Sequence, residues 1–94
     1  MLSMHPGEYI SEAYLEPLGL SHTDLASRLN VSVSTISRII NGKADVSPSM
    51  ALRLSHVLGR SPESWLAMQA AHSLNEAKLL IDTSKLRSIS IHPH

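Results

Sequence analysis

Four serines divide most of this chain into short helical segments. Ser21 opens the sequence Ser-His-Thr-Asp, which matches the capping box found at helix starts, and Ser32 precedes another run of helical spacing. Ser47 and Ser61 are each followed by proline, a residue favoured in the first turn of a helix. Because Pro6 gives a similar start signal, the sequence predicts five helices and an all-α fold.

Apolar residues recur at helical spacing after each start signal, and turn-forming residues follow each run. The first helix begins at Pro6, and Pro17 and Gly19 end it or bend it. The later helices are expected over about 22–29, 33–40, 48–58 and 62–81. The residues expected to face inward include Ile10, Ala13, Tyr14, Leu18, Leu25, Leu29, Val33, Ile36, Ile39, Ile40, Met50, Ala51, Leu54, Val57 and Leu58.

The length and composition indicate one compact domain. A chain of 94 residues with 43% hydrophobic residues is long enough for one core and too short for two. We expect residues 1–82 to form this domain and residues 83–94 to form a polar tail that is frayed, a short strand or an interaction arm. The chain has no cysteine, no apolar run of the ~20 residues that a membrane span needs, and no signal-peptide pattern. These features predict a cytoplasmic protein with no membrane partner.

The net charge is zero, but the charged residues are unevenly distributed. Residues 1–19 contain three glutamates and no Lys or Arg, whereas residues 20–60 contain five Lys or Arg against two aspartates. A positive excess in the middle of the chain favours a nucleic-acid partner at that point, although ordinary fluctuation also produces an excess of this size.

The segment from about His22 to Asn41 has the dimensions of a helix-turn-helix, in which Asn30-Val31-Ser32 joins two short helices. Ala26 is small where the two helices must approach each other. Asn30 stands where the turn requires a positive φ, which asparagine adopts more readily than most residues. Because so short a segment seldom meets all these demands, we predict that it binds the major groove of DNA.

The outward face of the third helix carries the candidate DNA contacts. It holds short hydroxyl side chains, one arginine and one asparagine, and no acidic residue that would repel phosphate. Arginine suits guanine, and serine or threonine suits base edges or phosphates, so the expected base-reading residues are Ser34, Thr35 and Arg38, with Ser37 on the same face. The candidates for phosphate contact are Thr23, Arg28, Ser32, Asn41 and Lys43. A solvated polar helix surface is the alternative interpretation.

Three stretches are more specific than the helix-turn-helix itself, namely His5-Pro6-Gly7-Glu8, Leu15-Glu16-Pro17-Leu18-Gly19 and Pro62-Glu63-Ser64-Trp65-Leu66. Two further stretches, Ile40-Asn41-Gly42-Lys43 and Gln69-Ala70-Ala71, belong to the same pattern. Over roughly residues 5–71, the chain therefore resembles the HigA-type antitoxins of the phage-repressor-like helix-turn-helix group. The family usually has glycine where this chain has Asn30. Residues 75–78 and the serine-rich tail match none of its motifs.

The resemblance implies a five-helix bundle of the lambda-repressor-like type. It also implies an antitoxin that neutralises an mRNA-cleaving toxin and represses its own operon, usually as a dimer. The implied partners are operator DNA, a cognate ribonuclease toxin and a second copy of the chain. A stand-alone phage or plasmid repressor and a protein-interaction module that has lost DNA binding are the alternatives.

The last helix has two interpretations. Its apolar residues, including Trp65, Met68 and Leu74, form either the core of one chain or a seam between two chains. Two helix-turn-helix units about one DNA turn (~34 Å) apart would read a pseudo-palindrome, so we expect a homodimer that uses these three residues.

Catalysis, metals and cofactors are not expected. Four of the six histidines are scattered and His92 and His94 form the one close pair. No cysteine is available, no zinc-site spacing occurs, and no Gly-x-Ser-x-Gly nucleophile motif is present. Glu8, Glu12 and Glu16 recur every four residues, as expected for a solvated helix face rather than for a pair of catalytic acids.

Overall fold

The computed structural model describes residues 4–89, and over this range it consists of five helices with no strand. Helix α1 comprises three consecutive segments, Pro6–Ile10, Ser11–Leu15 and Glu16–Leu18. The others are α2 (His22–Leu29), α3 (Val33–Ile40), α4 (Pro48–Leu58) and α5 (Pro62–Leu80), and a 3₁₀ turn follows over Thr83–Lys85. The predicted all-α, five-helix architecture is confirmed. None of the described helices is both long and apolar enough to cross a membrane.

The four serines cap α2 to α5 as predicted. Each hydroxyl accepts a hydrogen bond from the backbone N–H three residues later, at 3.0–3.1 Å. At Ser21 the box is complete, because its own N–H donates to the Asp24 carboxylate at 3.0 Å. This hydrogen bond lowers the pKa of Asp24. The start of α2 is therefore fixed by local bonds.

Helix α1 departs from ideal spacing in its middle. The segment Ser11–Leu15 is π-helical, and the N–H of Glu16 donates to the carbonyl of Ser11, five residues earlier. The proline at position 17 cannot donate a backbone hydrogen bond, which favours such a local change in the ladder. A π turn takes more residues than an α turn, so the prediction that Ala13 and Leu18 face inward is wrong and both are exposed.

The core lies between all five helices. Its buried apolar residues are Ile10, Leu15, Leu25, Ala26, Leu29, Ile36, Ile39, Val46, Met50, Ala51, Leu54 and Trp65. Trp65 has no exposed surface, and its indole N–H donates to the carbonyl of Gly59 at 2.9 Å. Val33, expected inside, is 42% exposed because it lies at the first position of α3, before the helix turns toward the core.

The C-terminal half of α5 leaves the core. Leu74, Leu79, Leu80 and Ile81 are each more than half exposed. The 19 residues of α5 make it about 28 Å long, and the described chain measures 53 Å in its longest dimension against 23 and 21 Å in the others. Over residues 83–89 the tail is exposed and contains no strand.

Gly7 lets α1 pack closely against the backbone at the C-terminal end of α3. A Cβ placed on Gly7 would lie 2.8 Å from the Cα of Ile40 and closer still to the carbonyl group of Ile39. These neighbours are backbone atoms, which cannot move aside as a flexible side chain can. The absence of a side chain at position 7 therefore sets how closely α1 approaches the C-terminal end of α3.

His5 caps α1 with its imidazole ring. Its Nδ1 accepts a hydrogen bond from the N–H of Gly7 at 2.9 Å, so the ring is neutral and carries its proton on Nε2. Burial lowers the pKa of His5, and the neighbouring His72, whose ring lies edge-on with its centroid 5.0 Å away, lowers it further. Protonation of His5 would remove the acceptor that caps the helix.

We predict that Gly7→Ala destabilises the protein. In an exposed helix interior this change stabilises by roughly 0.5–1 kcal/mol, whereas forcing atoms into a packed contact costs about 1–3 kcal/mol. Urea unfolding followed by circular dichroism gives the sign of the effect, with Glu8→Ala at the next, exposed position as the control. A gain in stability in Gly7→Ala would contradict the close contact.

We predict that His5 makes the stability depend on pH. Its pKa is lower in the folded chain than in the unfolded chain, where the usual value is about 6.5. The unfolded state therefore binds more protons, and the stabilisation that is present above about pH 6.5 is lost as the pH falls toward the folded pKa. His5→Asn keeps a capping side chain that does not titrate, so its free energy of unfolding should fall less between neutral pH and about pH 5. Identical pH profiles would contradict this role.

Candidate nucleic-acid interface

The turn between α2 and α3 has the predicted left-handed residue. Asn30 has φ 57° and ψ 48°, and the N–H of Val31 returns to the carbonyl of Ala26 at 3.1 Å. Arg53 on α4 donates to the carbonyl of Leu29 at 2.7 Å and to that of Asn30 at 3.3 Å. A cation thus binds the negative end of α2 and holds the turn against α4.

One side of α3 is anchored and the other is polar. Ile36 and Ile39 are buried, whereas Ser34 and Arg38 are exposed and Thr35 is half-buried. This division places the short polar side chains outward, as a helix that enters the major groove requires.

Hydrogen bonds already order the hydroxyl groups at the start of α3. The Ser32 hydroxyl lies 2.8 Å from the Thr35 hydroxyl and 3.3 Å from that of Ser34. The structure therefore brings these three candidates together at the N-terminal end of α3. That end carries unpaired N–H groups and a partial positive charge, which suit a phosphate.

His22 is a contact that the sequence analysis missed. Its Nδ1 lies 3.0 Å from the hydroxyl of Ser37, so the first turn of α2 is bonded to the middle of α3. The bond fixes which way the Ser37 hydroxyl points on the candidate face. The one signal in the sequence was the position of His22 in the first turn of α2. Sequence spacing does not show which residue of α3 lies opposite His22, so the bond could not be predicted.

Arg38, in the last turn of α3, lies close to Lys43, which follows the helix. The Arg38 guanidinium approaches the carbonyl of Lys43 at 3.5 Å, and the N–H of Lys43 donates to the carbonyl of Arg38 at 2.8 Å. Thr35 and Arg38 share a cleft of about 250 Å³ with the following loop, to which Asp45 contributes. Both cationic side chains are exposed.

Arg28 lies away from the polar face of α3. Thr23 is exposed in the first turn of α2. A groove of about 290 Å³ between α2 and α4 contains Arg28, together with Arg53, His56 and the exposed Leu52. None of the candidates on α3 lines this groove. The structure thus does not bring Arg28 together with the polar face of α3.

A second cleft, of about 380 Å³, separates α1 from the end of α3. It is lined by His5, Glu8, Ser11, Glu12, Glu16, Ile40, Asn41 and Gly42. All three glutamates are exposed, and Asn41 lies on the opposite wall. The candidate Asn41 therefore borders an acidic face as well as the polar face of α3.

The three residues predicted for the dimer interface differ in how deeply they are buried within one chain. Trp65 is completely buried in its own core and has no surface for a second chain, so its predicted place in the dimer seam is wrong. Met68 is half-buried and packs against the same core, whereas Leu74 is 55% exposed. Of the three, Leu74 offers the most surface to a partner.

Comparison with known proteins identifies this arrangement. The helix-turn-helix family HTH_3 matches residues 12–65, more than half of the chain. The HTH-type regulator YddM of Escherichia coli strain K12 is 43% identical over 84 residues, covering 89% of this chain and 88% of its own length. The antitoxin GraA superposes with a TM-score of 0.88 at 34% identity, covering 95% of this chain and 99% of its own. The antitoxin HigA of Pseudomonas aeruginosa, solved with the higBA promoter, gives 0.81 at 30% identity and covers 97% of both chains.

The chain belongs to the HigA-type helix-turn-helix family. The three relatives just described are one transcriptional regulator and two antitoxins, classes of protein that are in general not enzymes. Between residues 4 and 89, no cluster of three or more His, Asp or Glu side chains could hold a metal ion.

We predict that Arg38 and Lys43 contribute to DNA binding in different ways. Arg38→Ala should reduce the preference for operator over scrambled DNA by about 1–3 kcal/mol, because a bidentate base contact is lost. Lys43→Ala should weaken binding to both duplexes and flatten the dependence of log K on log salt by about one unit.

Titration of both duplexes over a salt series measures these effects, with Lys85→Ala in the exposed 3₁₀ turn as the control. Equal losses on both duplexes would show that Arg38 does not read bases. An unchanged salt slope would remove Lys43 from the phosphate contacts.

Proposed function

We propose that this HigA-type protein is a cytoplasmic antitoxin that represses its own operon by binding the operator and neutralises an mRNA-cleaving toxin. The observation that carries the proposal is the outward face of α3, which is polar and free of acidic residues and is held on a helix-turn-helix scaffold. The P. aeruginosa antitoxin that was solved with its promoter shares this fold at a TM-score of 0.81.

The proposed DNA contacts follow from the geometry of α2 and α3. Ser34, Thr35 and Arg38 read base edges, and Ser37 joins them in the orientation that His22 imposes. The phosphate contacts come from Thr23, Ser32, Asn41 and Lys43, which lie around the ends of the two helices. Arg28 remains a candidate only for a flanking phosphate, because it lies in the groove beside α4.

Dimerisation through the second half of α5 completes the proposed repressor. Leu74, Leu79, Leu80 and Ile81 expose apolar surface along a helix end that projects from the core. Pairing of two such ends would remove this surface from water, and the free energy gained is about 25 cal/mol per Å². A dimer also brings two copies of α3 to successive major grooves, about 34 Å apart.

The acidic face of α1 supports the toxin part of the proposal. Glu8, Glu12 and Glu16 are spaced four residues apart, all are exposed, and like charges at this spacing destabilise an isolated helix. Within residues 4–89, only one hydrogen bond reaches any of these carboxylates: the hydroxyl of Ser11 donates to Glu16 at 3.4 Å. Such a face complements a basic protein, and a ribonuclease that binds RNA is expected to be basic.

The first experiment titrates the full-length protein with a duplex from its own promoter and with a scrambled duplex of equal length, over a salt series. We expect tighter binding to the promoter, weakening as salt increases because counterions are released from DNA. Weak and equal binding to both duplexes would contradict the repressor proposal and favour a protein-interaction module.

The toxin part is tested by co-expression with the product of the adjacent reading frame. We expect a stable complex that abolishes mRNA cleavage, and we expect it to be weakened when Glu8, Glu12 and Glu16 are all changed to Gln. Glu63→Gln and Glu76→Gln on α5, combined with Asp82→Asn just after it, form the control, which also removes three negative charges. Promoter binding without any adjacent toxin would favour the stand-alone repressor.

We predict that Leu74→Glu disrupts the dimer. A charge at the seam would be buried without a partner, so the variant should sediment as a monomer and lose operator affinity. Leu52→Glu is the matched control, since Leu52 on α4 is also 55% exposed. A Leu74→Glu protein that remains dimeric would place the seam elsewhere.

A further inference from the structure

We infer that Gln69 is a positioning residue for DNA binding, because its buried amide ties the loop that carries Lys43 to α5. The inference rests on the proposed binding of operator DNA, and it assigns a role in that binding to a residue distant from the polar face of α3. The loop in question, residues 41–47, joins α3 to α4 and is called here the α3–α4 loop.

Gln69 bonds to the loop through both ends of its amide. Its Oε1 accepts a hydrogen bond from the N–H of Val46 at 2.9 Å, and its Nε2 donates to a carboxylate oxygen of Asp45 at 3.2 Å. The same Nε2 donates to the hydroxyl of Ser73, one turn further along α5, at 3.1 Å. The side chain therefore joins consecutive loop residues to a rigid helix.

Burial gives these bonds their importance. Gln69 is 6% exposed and Val46 is 4% exposed, so little water is available to replace a lost bond. An apolar side chain of similar volume would fill the same space, but it would leave the N–H of Val46 without an acceptor. Packing alone does not call for an amide at this position, whereas orientation of the loop backbone does.

The bonds restrain Lys43 from one side, and α3 restrains it from the other. Lys43 lies two residues before Asp45, and its own N–H donates to the carbonyl of Arg38 at 2.8 Å. The ammonium group of Lys43 reaches a phosphate only if the backbone that carries it stays beside the end of α3. Gln69 supplies this restraint on the C-terminal side of Lys43.

The first test compares the wild-type protein with Gln69→Met on promoter and scrambled duplexes over a salt series. Methionine retains the volume and removes the amide. We expect weaker binding to both duplexes and a salt slope reduced by about one unit, as for the loss of one phosphate contact. Ser73→Ala is the matched control, since it removes a bond of Gln69 that does not involve the loop, and its slope should equal that of the wild type.

The dependence on Lys43 distinguishes positioning from general destabilisation. If Gln69 acts by placing Lys43, Lys43→Ala should weaken binding less in the Gln69→Met background than in the wild type. Full additivity of the two substitutions, with both proteins folded by circular dichroism, would overturn the inference.

A second set of variants tests the inference if Gln69→Met does not fold. These variants exchange donor and acceptor in the hydrogen bond between Gln69 and Asp45. Gln69→Glu places two carboxylates side by side and should weaken DNA binding. Adding Asp45→Asn gives position 45 an amide that can donate to the new carboxylate, so the double variant should recover affinity and slope relative to Gln69→Glu. Asp45→Asn alone keeps an acceptor for Nε2 and is the baseline. No recovery in the double variant would overturn the inference.

The two proposals fail in different ways. If the wild-type protein does not prefer its promoter, the proposed repressor function fails before Gln69 is considered. If the wild type prefers the promoter and folded Gln69→Met binds with the same affinity and salt slope, only the role of Gln69 is overturned.

Discussion

The anchoring of α3 is the constraint on which the rest of the interface depends. Ile36 and Ile39 are buried on its inner side, and the absence of a side chain on Gly7 lets α1 pack against the backbone at its end. A helix of eight residues is too short to be stable by itself, so these tertiary contacts determine whether and where it forms. The outward direction of the polar side chains is a consequence of this packing.

Features decided by neighbouring residues could be predicted from the sequence. The serine caps of α2 to α5 and the left-handed conformation of Asn30 each depend on bonds within a few residues. The helix-turn-helix could be placed because its two helices and its turn are all specified in this local way. The family motifs around Gly7, Pro17 and Trp65 added the fold type, which periodicity does not determine.

Features that join distant residues could not be predicted. Helical spacing placed Trp65 on the apolar side of its helix, but it could not show that the rest of the chain covers this side chain completely. It also could not show that His22 bonds to Ser37, that Gln69 bonds to the α3–α4 loop, or that Arg28 lies beside α4. Each of these facts depends on how helices are placed in three dimensions, and the π turn in α1 shows that even one helix can depart from regular spacing.

The separation between the inner and outer sides of α3 has an evolutionary consequence. The buried contacts that hold the helix involve Ile36, Ile39 and backbone atoms, whereas Ser34 and Arg38 make only exposed hydrogen bonds, so changing them should cost little stability. Ser37 is less free, because His22 is bonded to it and would have to change as well. After gene duplication, two copies of this chain would acquire different operators through a few outward substitutions, and each would stop repressing the other's promoter while the scaffold stayed the same.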